Sequence, residues 1–191
     1  MQWRPLRYVK ISPGAIAFFC ALFYIAPSDI FCAFVAAALL HEAGHLLVLR
    51  ARRIPVLSLR ISLSGASIVT PPLGYCDELL AASAGPVINF VLFFAFLKRI
   101  PYFALVNLGL LLFNLLPFYP LDGGRILRAL LRLLLGERIG RWIERIVHVL
   151  CLLLLGAAAI YLTCILHAGL WPVLTFAFLL LRVAEAAAPG D

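Results

Sequence analysis

Apolar runs of about bilayer length recur along this chain. A spanning helix needs about 20 mostly apolar residues, and six stretches meet or approach that: residues 11–27, 30–49, 79–97, 100–116, 146–166 and 168–181. Within lipid every backbone N–H and C=O must be satisfied by the chain itself, which leaves helices or a closed barrel. Runs of this length without period-two alternation read as helices. The expected fold is therefore an all-α polytopic membrane protein with about six transmembrane helices, forming one domain over residues 1–191. The first and last runs are short and the last contains Pro172, so five spans or a re-entrant last element is the alternative. Composition agrees. The chain is 64% hydrophobic with a mean hydropathy of +1.06, where a soluble domain is about 45–50% apolar.

Positive charge orients the spans, because cytoplasmic loops carry the excess of Lys and Arg. Arg4, Arg7 and Lys10 place the N-terminus in the cytoplasm, and Arg50, Arg52 and Arg53 return the second span there. The six arginines of residues 125–145 and Arg182 belong inside, which puts the C-terminus in the cytoplasm; Lys98-Arg99 is the one exception. The basic N-terminus resembles a signal peptide, but its apolar run reaches Pro27 without a small-residue cleavage site, so a retained span is expected. The net charge of +7 lies beside apolar runs, where it meets lipid headgroups rather than nucleic acid. Four of the cysteines, Cys20, Cys32, Cys151 and Cys164, sit in apolar runs and no CxxC pair occurs, so they read as small hydrophobes.

Two segments are not spans. Leu57, Leu59, Ile61 and Leu63 alternate with Ser58, Arg60, Ser62 and Ser64, followed by Gly65 as a turn and Ser67-Ile68-Val69-Thr70. This is period two and predicts a membrane-associated β-hairpin over about residues 55–70, between the second and third spans. From Arg125, arginines at 125, 128 and 132 recur among leucines at helical spacing, which predicts an amphipathic helix on the inner membrane surface.

The second span contains His41-Glu42-Ala43-Gly44-His45. Residues four apart share a helix face, so both imidazoles can converge on one metal ion, with Glu42 placed as general base toward a metal-activated water. Such groups are expensive within lipid unless they pair or bind something; a polar cluster that only ties helices together is the other reading. Zinc needs a third protein ligand and an open position. Asp122, after Pro117 and Pro120 and before Gly123-Gly124, is the candidate, with a helix N-cap as its alternative. Counted from the arginines that mark the inner face, His45 and Asp122 lie at similar depth near the cytoplasmic side. In the third span, Asn89 is a candidate donor toward a reacting carbonyl or an interhelical hydrogen bond. His148 and His167 stand alone and read as structural, and Glu137 and Glu144 as partners of nearby arginines.

His41 through His45, the stretch Ala84-Gly85-Pro86-Val87-Ile88-Asn89, and Asn114 through Arg125 together resemble the site-2 protease family of intramembrane zinc metalloproteases, in the family's order and over nearly the whole chain. The closest resemblance is to the bacterial sporulation factor IVFB proteases, which have six spans and process a pro-sigma factor. It implies one zinc per chain held by His41, His45 and Asp122, with Glu42 as catalytic base. It also implies that Asn89 helps hold the substrate or the oxyanion. The implied setting is a multi-pass cell-membrane enzyme with a membrane-protein substrate such as a pro-sigma or anti-sigma factor, and a membrane regulatory partner. Proteases of this type often carry a C-terminal nucleotide-binding CBS domain; the sequence after Arg182 is too short for one, which leaves nucleotide control and the identity of the substrate open. A metal-ion transporter or an inactive membrane scaffold are the other classes. A transporter has no need of Glu42 directly after the first His, and a scaffold would have lost one of the four residues.

Overall fold

The computed structural model describes residues 9–62, 65–167 and 169–187. Arg4 and Arg7, Leu63 and Ser64 of the expected hairpin, and Ala168 at the start of the sixth expected span lie outside the described residues. The chain divides into two compact units, Met1–Leu115 and Leu116–Asp191.

In the first unit, α1 (Pro13–Ile25) begins on a proline at its first position, where the missing N–H costs nothing, and Ser12 caps it by accepting from the Ala15 N–H at 3.2 Å. α2 (Ser28–Ala51) follows, then α3 (Tyr75–Phe96), with Pro86 inside it, and α4 (Pro101–Asn114). Helices α2, α3 and α4 pack against one another. Their interfaces are built from small residues: Ala37, Ala81, Ala82 and Ala104 are buried. A Cβ on Gly44 would stand 2.9 Å from the Ala84 carbonyl oxygen, so α2 meets α3 at backbone contact.

The expected hairpin is present as β2 (Ser58–Ser62) and β3 (Gly65–Val69), paired from Ser58 opposite Val69 to Ser62 opposite Gly65. Gly65, expected as the turn, instead opens β3. A third strand, β1 (Val9–Ile11), runs parallel to β2 on its other side, giving the order β1-β2-β3. Ile11 was expected to start the first span. It belongs to β1, and the Ser12 N–H continues the pairing to the Ile61 carbonyl at 2.8 Å. Ile68 packs on a small core of Leu49, Val56 and Ala81 at the end of α2.

The second unit holds α5 (Asp122–Cys164) and α6 (Trp171–Ala187). The helix expected to start at Arg125 is present as the first part of α5, and Gly136, at φ 75° and ψ 174°, then breaks α5 into two arms. The arms fold back on each other. Arg128 and Arg132 on the first reach Glu144 on the second at 2.9 and 2.7 Å, and a Cβ on Gly140 would meet the Leu131 carbonyl at 3.2 Å. Arg132 also approaches Glu137 at 3.4 Å. Burial alone would raise the Glu144 carboxyl, but the hydrogen bonds and charges of Arg128 and Arg132 outweigh it and hold the group below its ordinary value.

The protein is mostly helical with one small sheet. Three helices are long and apolar enough to cross a membrane by length and composition, Ser28–Ala51, Tyr75–Phe96 and Asp122–Cys164, and shorter apolar helices accompany them. Large apolar side chains such as Leu47, Phe94 and Leu153 stand exposed, as they do on a membrane protein.

Candidate metal centre

Helical periodicity brings the two histidines of α2 together. His41 and His45 are both buried, and their Nε2 atoms face each other at 3.2 Å. The His45 Nδ1 lies 2.7 Å from the Ala81 carbonyl oxygen of α3. A carbonyl only accepts, so Nδ1 donates and carries the ring proton, and Nε2 keeps its lone pair for a metal. Glu42 is half-buried beside His41 on the same helix.

The facing helix leaves space in front of both nitrogens. A Cβ on Gly85 would stand 2.5 Å from His45 Nε2 and 2.6 Å from His41 Nε2. The small residues Ala81 and Gly85 recur four apart, so the face that accepts the His45 proton is also the one recessed at the imidazoles. Sequence reasoning used Gly85 only in the family resemblance and did not assign Gly85 or Ala81 to the site; their four-residue spacing, matching that of the histidine pair, was the available signal.

Asn89, one turn beyond Gly85, is fully buried, and neither its Oδ1 nor its Nδ2 has a hydrogen-bond partner. Asn107 of α4, unremarked in the sequence, is also fully buried; its Nδ2 donates to the Phe103 carbonyl at 2.9 Å while its Oδ1 has no partner.

Asp122 is the first residue of α5. The N-cap is Leu121 and no side chain makes a capping hydrogen bond, so the structure does not use Asp122 as the cap. Its carboxylate is buried, with Arg125 at 3.6 Å, and a negative charge suits the first turn of a helix. Phe118 and Leu121 are fully buried and anchor the approach to it, and the Arg128 guanidinium lies 4.5 Å from the Tyr119 ring centre. A Cβ on Gly124 would fall on the Phe118–Tyr119 peptide, so only glycine fits there. His148 packs edge-on against Phe118, ring centres 5.8 Å apart, which fits its reading as structural.

His41 and His45 in the first unit and Asp122 in the second are all buried, and each offers one ligand atom of a kind a metal ion takes. The donors suit zinc. Two imidazole nitrogens at about 2.0–2.1 Å from one tetrahedral zinc stand about 3.3 Å apart, close to the 3.2 Å of the pair. Three protein donors also leave the fourth position that a catalytic site requires.

Residues 95–157 match the model of peptidase family M50. The chain is 33% identical over 118 residues to a Synechocystis protein named as a zinc metalloprotease, covering 54% of this chain and 31% of that one. It is 31% identical over 108 residues to a zinc metalloprotease of Methanocaldococcus jannaschii, covering 50% and 32%. The chain thus spans about a third of the length of these curated relatives. Among solved structures it shares the fold of the site-2 protease from M. jannaschii, with a TM-score of 0.71 and 21% identity over 100% of this chain and 95% of that one. The resemblance read from the sequence thus finds a peptidase family M50 match over part of the chain, relatives named as zinc metalloproteases, and the fold of a site-2 protease.

Proposed function

We propose that this chain is a zinc metalloendopeptidase of the site-2 protease type that hydrolyses peptide bonds of membrane-embedded substrates. The observation that carries the reading is the buried His41 and His45 pair with Glu42 beside the first ligand, to which the buried Asp122 is assigned as the third. When bound, zinc supplies Lewis acidity to a water and to a peptide carbonyl. The chain's own residues do the rest. The proton that His45 keeps on the Ala81 carbonyl fixes the ring so that Nε2 faces the site. Glu42 takes a proton from the attacking water and passes it to the leaving amine. Asn89 holds a buried amide with no partner, a group suited to the substrate carbonyl or the oxyanion.

A helical substrate must unwind before cleavage, and in lipid its bare N–H and C=O groups cost several kcal/mol each unless satisfied. β2 is paired on both sides, so the strand edges open to such a chain, among the described residues, are those of β1 and β3. We assign the substrate to the edge of β3, as an added strand. The wider reading is a single intramembrane domain with six spans, both termini cytoplasmic and the site near the cytoplasmic face. Its substrate class is that of regulated intramembrane proteolysis, a pro-sigma or anti-sigma factor, with sporulation as one setting.

The test is direct. Purified protein in detergent should cut a tagged membrane substrate, stop on addition of a zinc chelator, and resume when zinc is restored. Glu42→Gln keeps the shape of the side chain but cannot accept the proton; it should retain zinc and leave the substrate intact. Substantial cleavage by that variant would sink the mechanism.

A further inference from the structure

Because β2 is the inner strand, its side chains stand in rows with those of both neighbours. Registered residues on adjacent strands project from the same face of a sheet, and one row reads Lys10, Arg60, Ser67. Two cations thus stand side by side, an arrangement their like charge opposes. No carboxylate is registered on this row or anywhere else in the sheet. The Arg60 side chain is half-buried, and its Nε is buried without a hydrogen-bond partner. At its Nε this guanidinium has given up hydration with nothing in return. It is a charge waiting for an anion.

The next place in the row is Ser67 on β3, whose outer edge pairs with no strand among the described residues. A chain added there would run about 4.8 Å beyond β3, about twice that from β2. Serine is short, so it leaves the line from Arg60 to a fourth row open, and an acidic side chain in that row reaches back toward the guanidinium.

We propose that Arg60 selects substrates carrying an aspartate or glutamate at the position that falls opposite Ser67 when the unwound chain adds to β3. This rests on the reading of the chain as a protease that takes its substrate as a strand. The selection acts through register: a strand that shifts by one residue turns its acidic side chain to the other face of the sheet. The acid therefore fixes which peptide bond is presented as well as which chain is bound.

The experiment uses the full chain in detergent without anionic lipid, and internally quenched apolar peptides in which one residue at a time is Glu, Gln or Lys. Wild-type protein should cut the Glu peptide on the order of tenfold faster than the Gln peptide at one position only, as a charged hydrogen bond at a partly buried site implies. Arg60→Glu, with its zinc content retained, should invert the order at that same position, Lys over Glu. A folding defect cannot produce that inversion. Binding of the same peptides to Glu42→Gln protein, read by fluorescence anisotropy, should show the same preference without turnover. Equal treatment of Glu, Gln and Lys at every position overturns the proposal and leaves the protease reading standing. Failure of zinc-loaded wild-type protein to cut any peptide overturns the protease reading. A charge preference at the same position in that protein's anisotropy would still uphold Arg60 as an acid-reading site, and its absence there would remove both. If Arg60→Glu instead loses retention of phosphatidylglycerol with no change in peptide preference, the row is a lipid-headgroup site and the proposal is wrong.

Discussion

Gly85→Ala is the most demanding check on the metal centre, because it adds one methyl group and replaces no proposed ligand. That methyl would stand 2.5 Å from His45 Nε2 and 2.6 Å from His41 Nε2. Ordinary contact begins near 3.4 Å, so it falls about 0.9 Å short. Two responses are open. Helix α3 can move away from α2, which opens a seam already at backbone contact around Gly44 and Ala84. Otherwise the imidazoles turn, and His45 loses the Ala81 carbonyl that fixes its tautomer. Overpacking of this kind costs about 1–3 kcal/mol in stability. Loss of a partner that orients a ligand costs about 10–100-fold in metal affinity. Because the methyl also takes the space in front of both nitrogens, the upper end is expected: a fall of about 100-fold, or about 2.7 kcal/mol. The assay is a zinc titration of chelator-stripped protein against a chromophoric competitor, with helix content followed by circular dichroism. Gly109→Ala is the matched control, since a Cβ there meets nothing within 4 Å, and it should bind zinc as wild type does. If Gly85→Ala bound zinc with wild-type affinity at unchanged helix content, the histidine pair would not hold its metal in front of α3, and the site as argued would be wrong.

Three further outcomes are expected. Asp122→Ala should lower the zinc content of purified protein from about one per chain, as expected of a three-ligand site; full zinc and full activity would remove Asp122 from the ligand set. Glu144 has a depressed folded-state pKa, so its contribution to stability is present above its ordinary value near 4.5 and is lost as pH falls through the lower folded value. The difference in melting temperature between wild type and Glu144→Gln should hold steady above about pH 5.5 and shrink in acid, and a difference independent of pH would refute the Arg128–Glu144–Arg132 linkage. Prolines placed one at a time at Ser67 and Ile68 on β3 should leave zinc binding intact, and the one whose N–H faces outward should impair cleavage. Normal cleavage by both would exclude strand addition at that edge.

What the sequence made legible is what local geometry determines. His41 and His45 could be paired because a four-residue spacing closes on one face of any α-helix. The β2–β3 hairpin could be placed because alternation has a period of its own. Asp122 was reachable by elimination, since zinc needs a third ligand and few candidates exist near the right depth. The misses depend on distant partners. β1 is three residues long and exists only through its pairing with β2, so it carries no periodicity to detect. The elbow at Gly136 sits in a leucine-rich pattern that continues on both sides, and an isolated glycine there is compatible with unbroken helix; the contacts of Arg128 and Arg132 with Glu144 are what show the fold-back. Gly85 looked like one small residue among several until the imidazoles of α2 were found against it.

The backbone contact between α2 and α3 bears on how anything reaches the histidines. Where bulky side chains close a cleft, rotamer flips can open it in picoseconds to nanoseconds. Along this seam Gly44 abuts the Ala84 backbone as well as the Ile88 side chain, and Gly85 abuts His41 and His45, so a flip of Ile88 alone cannot open it. Passage along this line requires whole helices to separate, which is motion of microseconds to milliseconds. Admission through the seam is then a slow mechanical step, and a cross-link across it should arrest traffic by that route while leaving the imidazoles undisturbed.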